Sequence, residues 1–282
     1  MKNIIEYFYN IEINKIILKE EKIFIVENNN LFIFKEIVSF NQEVMYETQK
    51  YKCFHTIIYN KYQNIVTTYE NKKYILMKIN VNQNRKITLN DVVKISSIII
   101  NKKYYDYNHQ KLWTKKTDCF ENYIKNKHNH ELPYREYYDY YLGLAEIALE
   151  YSININKSNI RYGFSYKRIK ENFTLYDLLD PTNVIIAPIV RNLSEYLKII
   201  CFDSLRKNKE IKIELTYDEY ILFISRMIFP TYFFDLFNDK IDNIKFKKII
   251  NNSHIYEENI CYLINCIKKQ GYNIPVINWL KN

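Results

Sequence analysis

The run Val184-Ile185-Ile186-Ala187 passes almost directly into Arg191-Asn192-Leu193-Ser194-Glu195-Tyr196-Leu197-Lys198, a short apolar strand followed by a helical segment. A carboxylate at the end of such a strand can hold a metal ion against a bound phosphate. Here the strand ends in alanine, so an acid for that purpose has to come from elsewhere. The nearest are Asp177 and Asp180, and Asp180-Pro181 reads first as a turn signal, with the turn favoured over a ligand role. A second cluster, His128 and His130 around Asn129 with Glu131 next, has metal-ligand residue types, but its setting of Lys, Asn and Pro133 reads as a solvated surface loop. His55, His109 and His254 have no partner visible in sequence. No serine is framed by the glycines of a nucleophile elbow, and the first glycine in the chain is Gly143. A loop that covers phosphate closely with its backbone generally wants glycine, so the N-terminal part cannot supply one of that kind.

The elements that must position these groups come in two textures. Up to about residue 80 the chain reads as short β-rich runs: Ile16 to Leu18, Ile23 to Glu27, Leu31 to Ile37, Ile57 to Asn60, Asn64 to Tyr69 and Tyr74 to Ile79. Asn28-Asn29-Asn30 and Glu70-Asn71-Lys72 are short enough for hairpin turns, which predicts an antiparallel meander. Asn41 to Cys53 interrupts it as a helix that Asn41 can cap. After Thr88 the apolar spacing becomes helical, with Val92, Val93, Ile95 and Ile99, then Tyr137, Tyr141, Leu144, Ala145, Ala148 and Leu149. Further helices read from Leu193, from Tyr217 and from Tyr256, with Asp91, Asn192 and Thr216 as caps. Between the Tyr137 to Leu149 block and the helix from Leu193, Ile160 to Ile186 carries two apolar runs fit for a hairpin. The expected organisation is α+β: a β-rich unit with one helix over 1–80 and a mainly helical one over 81–282.

Bulk properties bound the function classes. The 282 residues are 48% apolar with only three glycines, and their runs of Asn, Ile, Lys and Tyr are those of an A+T-rich, low-GC gene. The net charge of +9 is spread along the chain in pairs such as Lys102-Lys103, Lys115-Lys116 and Lys247-Lys248 beside acids and aromatics. That describes a solvated face better than a phosphate-tracking stripe, and no nucleic-acid motif accompanies it. Five cysteines, Cys53, Cys119, Cys201, Cys261 and Cys266, lack CxxC spacing and read as free thiols. The first twenty residues carry Glu6 and Glu12 within their apolar pattern, so neither signal peptide nor anchor is expected, and a reducing cytoplasm is. The 28 tyrosines and 16 phenylalanines fall mostly on helical apolar stripes and read as core, with Tyr232-Phe233-Phe234 after Pro230 as a packing corner.

The layout of three strands, helix, further strands and then helices with an inserted hairpin resembles protein-kinase-like folds. Four phrases in order narrow it: Leu112-Trp113-Thr114-Lys115-Lys116-Thr117-Asp118, Tyr141-Leu142-Gly143-Leu144-Ala145-Glu146, Arg191 to Lys198, and Phe229-Pro230-Thr231-Tyr232-Phe233-Phe234-Asp235. They are similar to the bacterial spore-coat kinase-like proteins of the aminoglycoside phosphotransferase and choline kinase superfamily, and the likeness covers most of the chain. The resemblance implies an ATP- and magnesium-dependent site. Lys35 stands where a strand lysine holds nucleotide phosphates, and Glu43 or Glu47 is its implied ion-pair partner. It also implies a catalytic loop with a His-Gly-Asp signature, but Phe164-Ser165-Tyr166-Lys167-Arg168-Ile169 stands there, with Lys167 and Arg168 where the acid is expected. Ala187 replaces the metal-bridging aspartate, and Asn192 stands in an Arg-Asp pair. Arg191 and Glu195, four apart on one helical face, can pair beside that position.

Three functions follow from these residues. The first is a catalytically degenerate kinase-like protein that works by binding a protein partner, structural or coat-associated. The second is a small-molecule phosphotransferase with rearranged acids, with Asp177 and Asp180 as the candidates. The third is a basic nucleic-acid-associated protein. An acidic, metal-competent site favours the second, and one continuous basic groove the third.

Overall fold

Apolar alternation and two tight turns build the N-terminal sheet. The computed structural model describes residues 2–19, 22–27, 30–81, 83–101, 108–126, 135–201, 214–237 and 243–274. Strands β1 (Lys15–Lys19), β2 (Lys22–Glu27) and β3 (Asn30–Glu36) pair antiparallel in sequence order. Helix α2 (Gln42–Thr48) follows, its first turn closed by the Asn41 side chain, which accepts from Val44 N. Then come β4 (Thr56–Ile58), β5 (Thr67–Tyr69) and β6 (Lys72–Lys78), and the sheet order is β1-β2-β3-β6-β4 with β5 also on β6. The β5–β6 hairpin turns through Glu70 and Asn71, both with positive φ (48° and 61°), the geometry whose twist matches the flanking strands. The turn expected at Asn28-Asn29-Asn30 has its first two residues outside those described.

Both faces of this sheet are covered. Helix α1 (Lys2–Tyr9), which the sequence reading did not assign, packs Ile5 and Tyr9 against Ile25, Phe32, Phe34 and Leu76. The other face carries Phe24, Ile33, Ile37, Ile75 and Met77 against Met45 of α2 and Tyr176. The chain divides into two units: one formed by Met1–Asp91, Tyr166–Arg168 and Asn172–Ile185, the other by Val92–Ser165, Ile169–Glu171 and Ile186–Asn282. Ile87 N bonds Phe173 O, and Leu175 N bonds Arg85 O, so backbone pairing holds the stretch after β6 to a returning segment of the chain.

The second unit is built on helices α3 (Leu89–Ser96, from Val92 on), α4 (His109–Lys125), α5 (Arg135–Ile153), α7 (Val190–Ile200), α8 (Tyr217–Ile228), α9 (Thr231–Phe234), α10 (Asn243–Asn251) and α11 (Ser253–Lys269). Strands β7 (Tyr162–Tyr166) and β8 (Val184–Pro188) pair, as the hairpin expectation had it, with the short helix α6 (Leu175–Leu178) between them in sequence. Thr216 caps α8 and Glu219 returns the bond to Thr216 N. Asn192 is not a cap: Ile189 holds that position and Asn192 lies inside the first turn of α7. The core here is aromatic, with Phe120, Tyr138, Tyr141, Phe233 and Phe246 mutually stacked or edge-on and Phe233 fully buried. Tyr217–Phe237 is apolar and long enough to span a membrane, but it is largely buried within the unit, as a core helix is. His128, His130, Glu131 and Lys102-Lys103 lie outside the described residues.

Candidate functional site

Lys35 lies on β3 two residues beyond Ile33 and two before Ile37, and side chains of alternate strand residues share a face. Ile33 and Ile37 are buried in the cluster beneath the sheet, so Lys35 is aimed the same way. Its ammonium meets three side-chain oxygens: Asp180 Oδ2 at 2.8 Å, Thr182 Oγ1 at 2.9 Å and Asn183 Oδ1 at 3.4 Å. Asp180 is buried, with its side chain 6% exposed against 27% for Lys35. Its second oxygen, Oδ1, accepts from Thr182 N (2.8 Å) and Thr182 Oγ1 (2.7 Å), which closes the 3-10 turn Pro181–Asn183. Each carboxylate oxygen therefore has its own task, one fixing the turn and one facing the lysine. The turn reading and the ligand reading of Asp180 describe the same carboxylate.

The ring of oxygens is held rigidly. His55 N donates to Leu179 O at 2.9 Å, His55 Nε2 meets Tyr176 O at 3.1 Å, and the Tyr166 hydroxyl donates to Leu178 O. Burial pushes the Tyr166 phenol well above its ordinary pKa. Lys167 N bonds Asn183 O at 3.1 Å, and the exposed Lys167 ammonium donates to Ser39 O.

The implied partners of Lys35 do not pair with it. Glu47 pairs at 2.7 Å with Lys50, just past the end of α2, and Glu43 sits exposed in the first turn of α2. The ion pair expected from Glu43 or Glu47 is made instead by Asp180, because the buried turn brings a carboxylate directly onto the ammonium. Asp177 accepts from Thr174 N (2.9 Å) and Thr174 Oγ1 (2.7 Å) at the start of α6. Arg168 is exposed.

The same face of β3 carries Leu31 into a cavity of about 660 Å³ with Asn80, Val81, Tyr176, Lys52 and Lys78 on its walls. Leu31 and Lys35 are four strand residues apart, roughly 13 Å at the rise of a β-strand. A concave space and an ammonium thus share one face at a fixed separation.

In the helical unit, Ala187 is fully buried. The Asn192 amide donates to Phe164 O (2.8 Å) and Ser96 Oγ (3.1 Å), both buried. An aspartate has no N–H to offer these acceptors, so asparagine is the residue that this packing requires. Glu195 accepts from Arg226 at 3.0 Å, and Arg226 Nε donates to Ser194 Oγ at 2.9 Å. Lys198 is buried and donates to Phe229 O (2.9 Å) and Thr231 Oγ1 (3.1 Å), closing the end of α8. Burial lowers its pKa to about 7, Glu195 opposes that, and Arg226, Arg191 and Lys116 add to it. His109 is lowered to about 3 by burial and then by Arg226, Lys157 and Arg191. Among the described residues, no group of three His, Cys, Asp or Glu side chains could hold a metal ion.

Sequence reasoning missed Thr182 and Asn183. The available signal was Asp180-Pro181-Thr182-Asn183 itself, three oxygen-bearing side chains around a proline that fixes the turn.

An antiparallel β-rich unit followed in sequence by a mainly helical one is the fold of kinase-like phosphotransferases. Two solved structures make this specific. An aminoglycoside phosphotransferase from Alicyclobacillus acidocaldarius superposes with a TM-score of 0.68 over 93% of this chain and 94% of that one, at 8% identity. A spectinomycin phosphotransferase in complex with ADP and spectinomycin superposes at 0.55 over 90% and 96%, at 12% identity. No family model and no curated protein sequence matches the chain.

Proposed function

We propose that this chain is a kinase-fold protein that acts by binding, that it has lost phosphoryl transfer, and that Lys35 is its nucleotide-phosphate contact. The observation that carries the reading is Lys35 set among Asp180, Thr182 and Asn183 on the face that also bears the 660 Å³ cavity. Base in the cavity and phosphates at the ammonium suit the spacing along β3. Phosphoryl transfer asks for more: carboxylates that neutralise phosphate through metal and one that orients the acceptor. Lys167, Arg168, Ala187 and Asn192 supply none, and Asp177 is bonded to Thr174. The ADP-bound neighbour supports the choice of nucleotide by analogy of fold alone. The resemblance to spore-coat proteins makes a coat-associated partner the form of binding to look for.

Thermal-shift titration with ATP and ADP, with and without magnesium, tests it, since a ligand that binds only the folded state raises stability. Saturable stabilisation that Lys35→Met abolishes, without ATP turnover, is the expected result. No shift with either nucleotide removes the nucleotide from the proposal. One observation favours a second reading. Asp180 Oδ2 and Asn183 Oδ1 both face Lys35, and carboxylate and amide oxygens are the donors that magnesium takes alongside phosphate. If Asp180 is a displaced catalytic acid, magnesium-dependent ATP turnover appears and Asp180→Asn removes it.

A further inference from the structure

The helical unit contains a cavity of about 920 Å³, within the range of small-molecule sites. Val93 of α3, Ile99, Leu193 of α7 and Leu215 form its apolar wall, with Tyr220 of α8 and Tyr272 beside them. The two rings lie 4.7 Å apart at 49°. Their hydroxyls are spent: Tyr220 on Gln270 Oε1 (2.5 Å) and Tyr272 on Leu215 O (3.3 Å). A ligand therefore meets ring surface rather than phenol donors.

Charge decides which ligand. Among the described residues Arg161 is the one cation on the wall, and Glu219, which is fully buried, holds it with bonds of 3.0 Å from Nε and 2.7 Å from Nη2. Arg161 Nη2 also donates to Glu214 O at 2.7 Å. The guanidinium is thus paired with a partner behind the wall, and the remaining charge among the described residues is the exposed Glu214. Among the described residues an anion finds no uncommitted cation there, and a polycation finds a single carboxylate at the edge. Largely apolar walls whose cation is paired and whose carboxylate sits at the edge reward removal of uncharged surface from water.

The walls are formed in advance. The reciprocal Thr216–Glu219 cap fixes the start of α8, and Arg161, just before β7, ties the start of that strand to the cap. Gly163 allows β7 to approach the end of α3, where a Cβ would stand 2.6 Å from Ile98 O. Preformed apolar cavities bind without an ordering penalty.

We infer that the helical unit holds a second binding site, for an uncharged, largely apolar ring compound of small-molecule size, seated against Tyr220 and Tyr272. It involves no residue of the Lys35 site and stands independently of the nucleotide reading. The test is fluorescence titration of the intact chain with N-phenyl-1-naphthylamine, an uncharged ring probe, beside its sulfonated analogue 8-anilino-1-naphthalenesulfonate. Saturable binding of the neutral probe at one site per chain is expected, with the sulfonate weaker by about tenfold or more. Val93→Trp and Ser97→Trp should each fill the cavity and cut affinity for the neutral probe by about tenfold. Ser97 is exposed at the rim, so its variant carries the test if Val93→Trp fails to fold. Lys35→Met should leave binding unchanged. The proposal falls if the neutral probe does not saturate, if the sulfonate binds as tightly, or if Ser97→Trp binds as the parent does.

Discussion

Two lysines, one in each unit, show how the same side chain is put to opposite uses. Lys35 meets a carboxylate and two polar oxygens and keeps about a quarter of its side chain in water. Lys198 is buried on a carbonyl and a hydroxyl, and desolvation brings its pKa down to about 7. A cation with an anion beside it and access to solvent can exchange that anion for a ligand's phosphate. A cation sealed against a helix end cannot, and its charge is a cost that the fold carries. The difference lies in partners and exposure, and neither is visible in the letter K.

Removing the anion is the largest break in this comparison. Asp180→Ala leaves Lys35 without its carboxylate and frees the Pro181–Asn183 turn, and should cost about 3–4 kcal/mol, the penalty for half a mostly buried pair plus a lost cap. Chemical denaturation measures it. Adding Lys35→Met to Asp180→Ala should recover part of the loss, and a double variant as unstable as the sum of the singles would show that the two residues do not couple.

Lys198 predicts the next effect, through pH. Its folded pKa of about 7 lies below the ordinary 10.5, so between these values the unfolded chain holds the extra proton and stability rises with pH. From pH 7 to pH 9 the gain should be about 2–3 kcal/mol. Lys198→Met should flatten that limb of a stability–pH profile, while Lys35→Met should leave it intact. A profile unchanged by Lys198→Met would mean that Lys198 stays fully charged in the fold.

How much of this was legible depended on the range of the interactions. Strand alternation, the Glu70-Asn71 turn, the Asn41 cap and the Thr216 cap are local, and they stand where the sequence placed them. So was the position of Lys35 on its strand. Its partner was not, because Asp180 is 145 residues away and only tertiary folding brings it there. Asn192 was legible as a substitution but not in its purpose. Its amide serves Phe164 and Ser96, which a sequence comparison reads only as a missing acid.

That purpose can be tested directly. Asn192→Asp places a carboxylate against the buried Phe164 carbonyl and withdraws the hydrogen bond to it, while the Ser96 hydroxyl can turn to donate to the carboxylate, and should cost about 2 kcal/mol, the penalty for a buried acceptor left unsatisfied. The acid that the resemblance implies at this position would therefore weaken the fold rather than create a magnesium site. Magnesium-dependent nucleotide binding in Asn192→Asp, with stability unchanged, would reverse this reading.

A third lysine sets the lower limit. Lys167 stands where the resemblance puts a catalytic acid, and its exposed ammonium donates to Ser39 O. It has carbonyl contact like Lys198 but solvent like Lys35, and an exposed bond of this kind contributes little because water replaces it readily. Lys167→Ala should change stability by under about 0.5 kcal/mol. If nucleotide binds at Lys35, Lys167→Ala should also leave the nucleotide-induced thermal shift as it is in the parent. Loss of that shift would move the phosphate contact from β3 to the end of β7, and Lys35 would then be a lysine satisfied by its own turn.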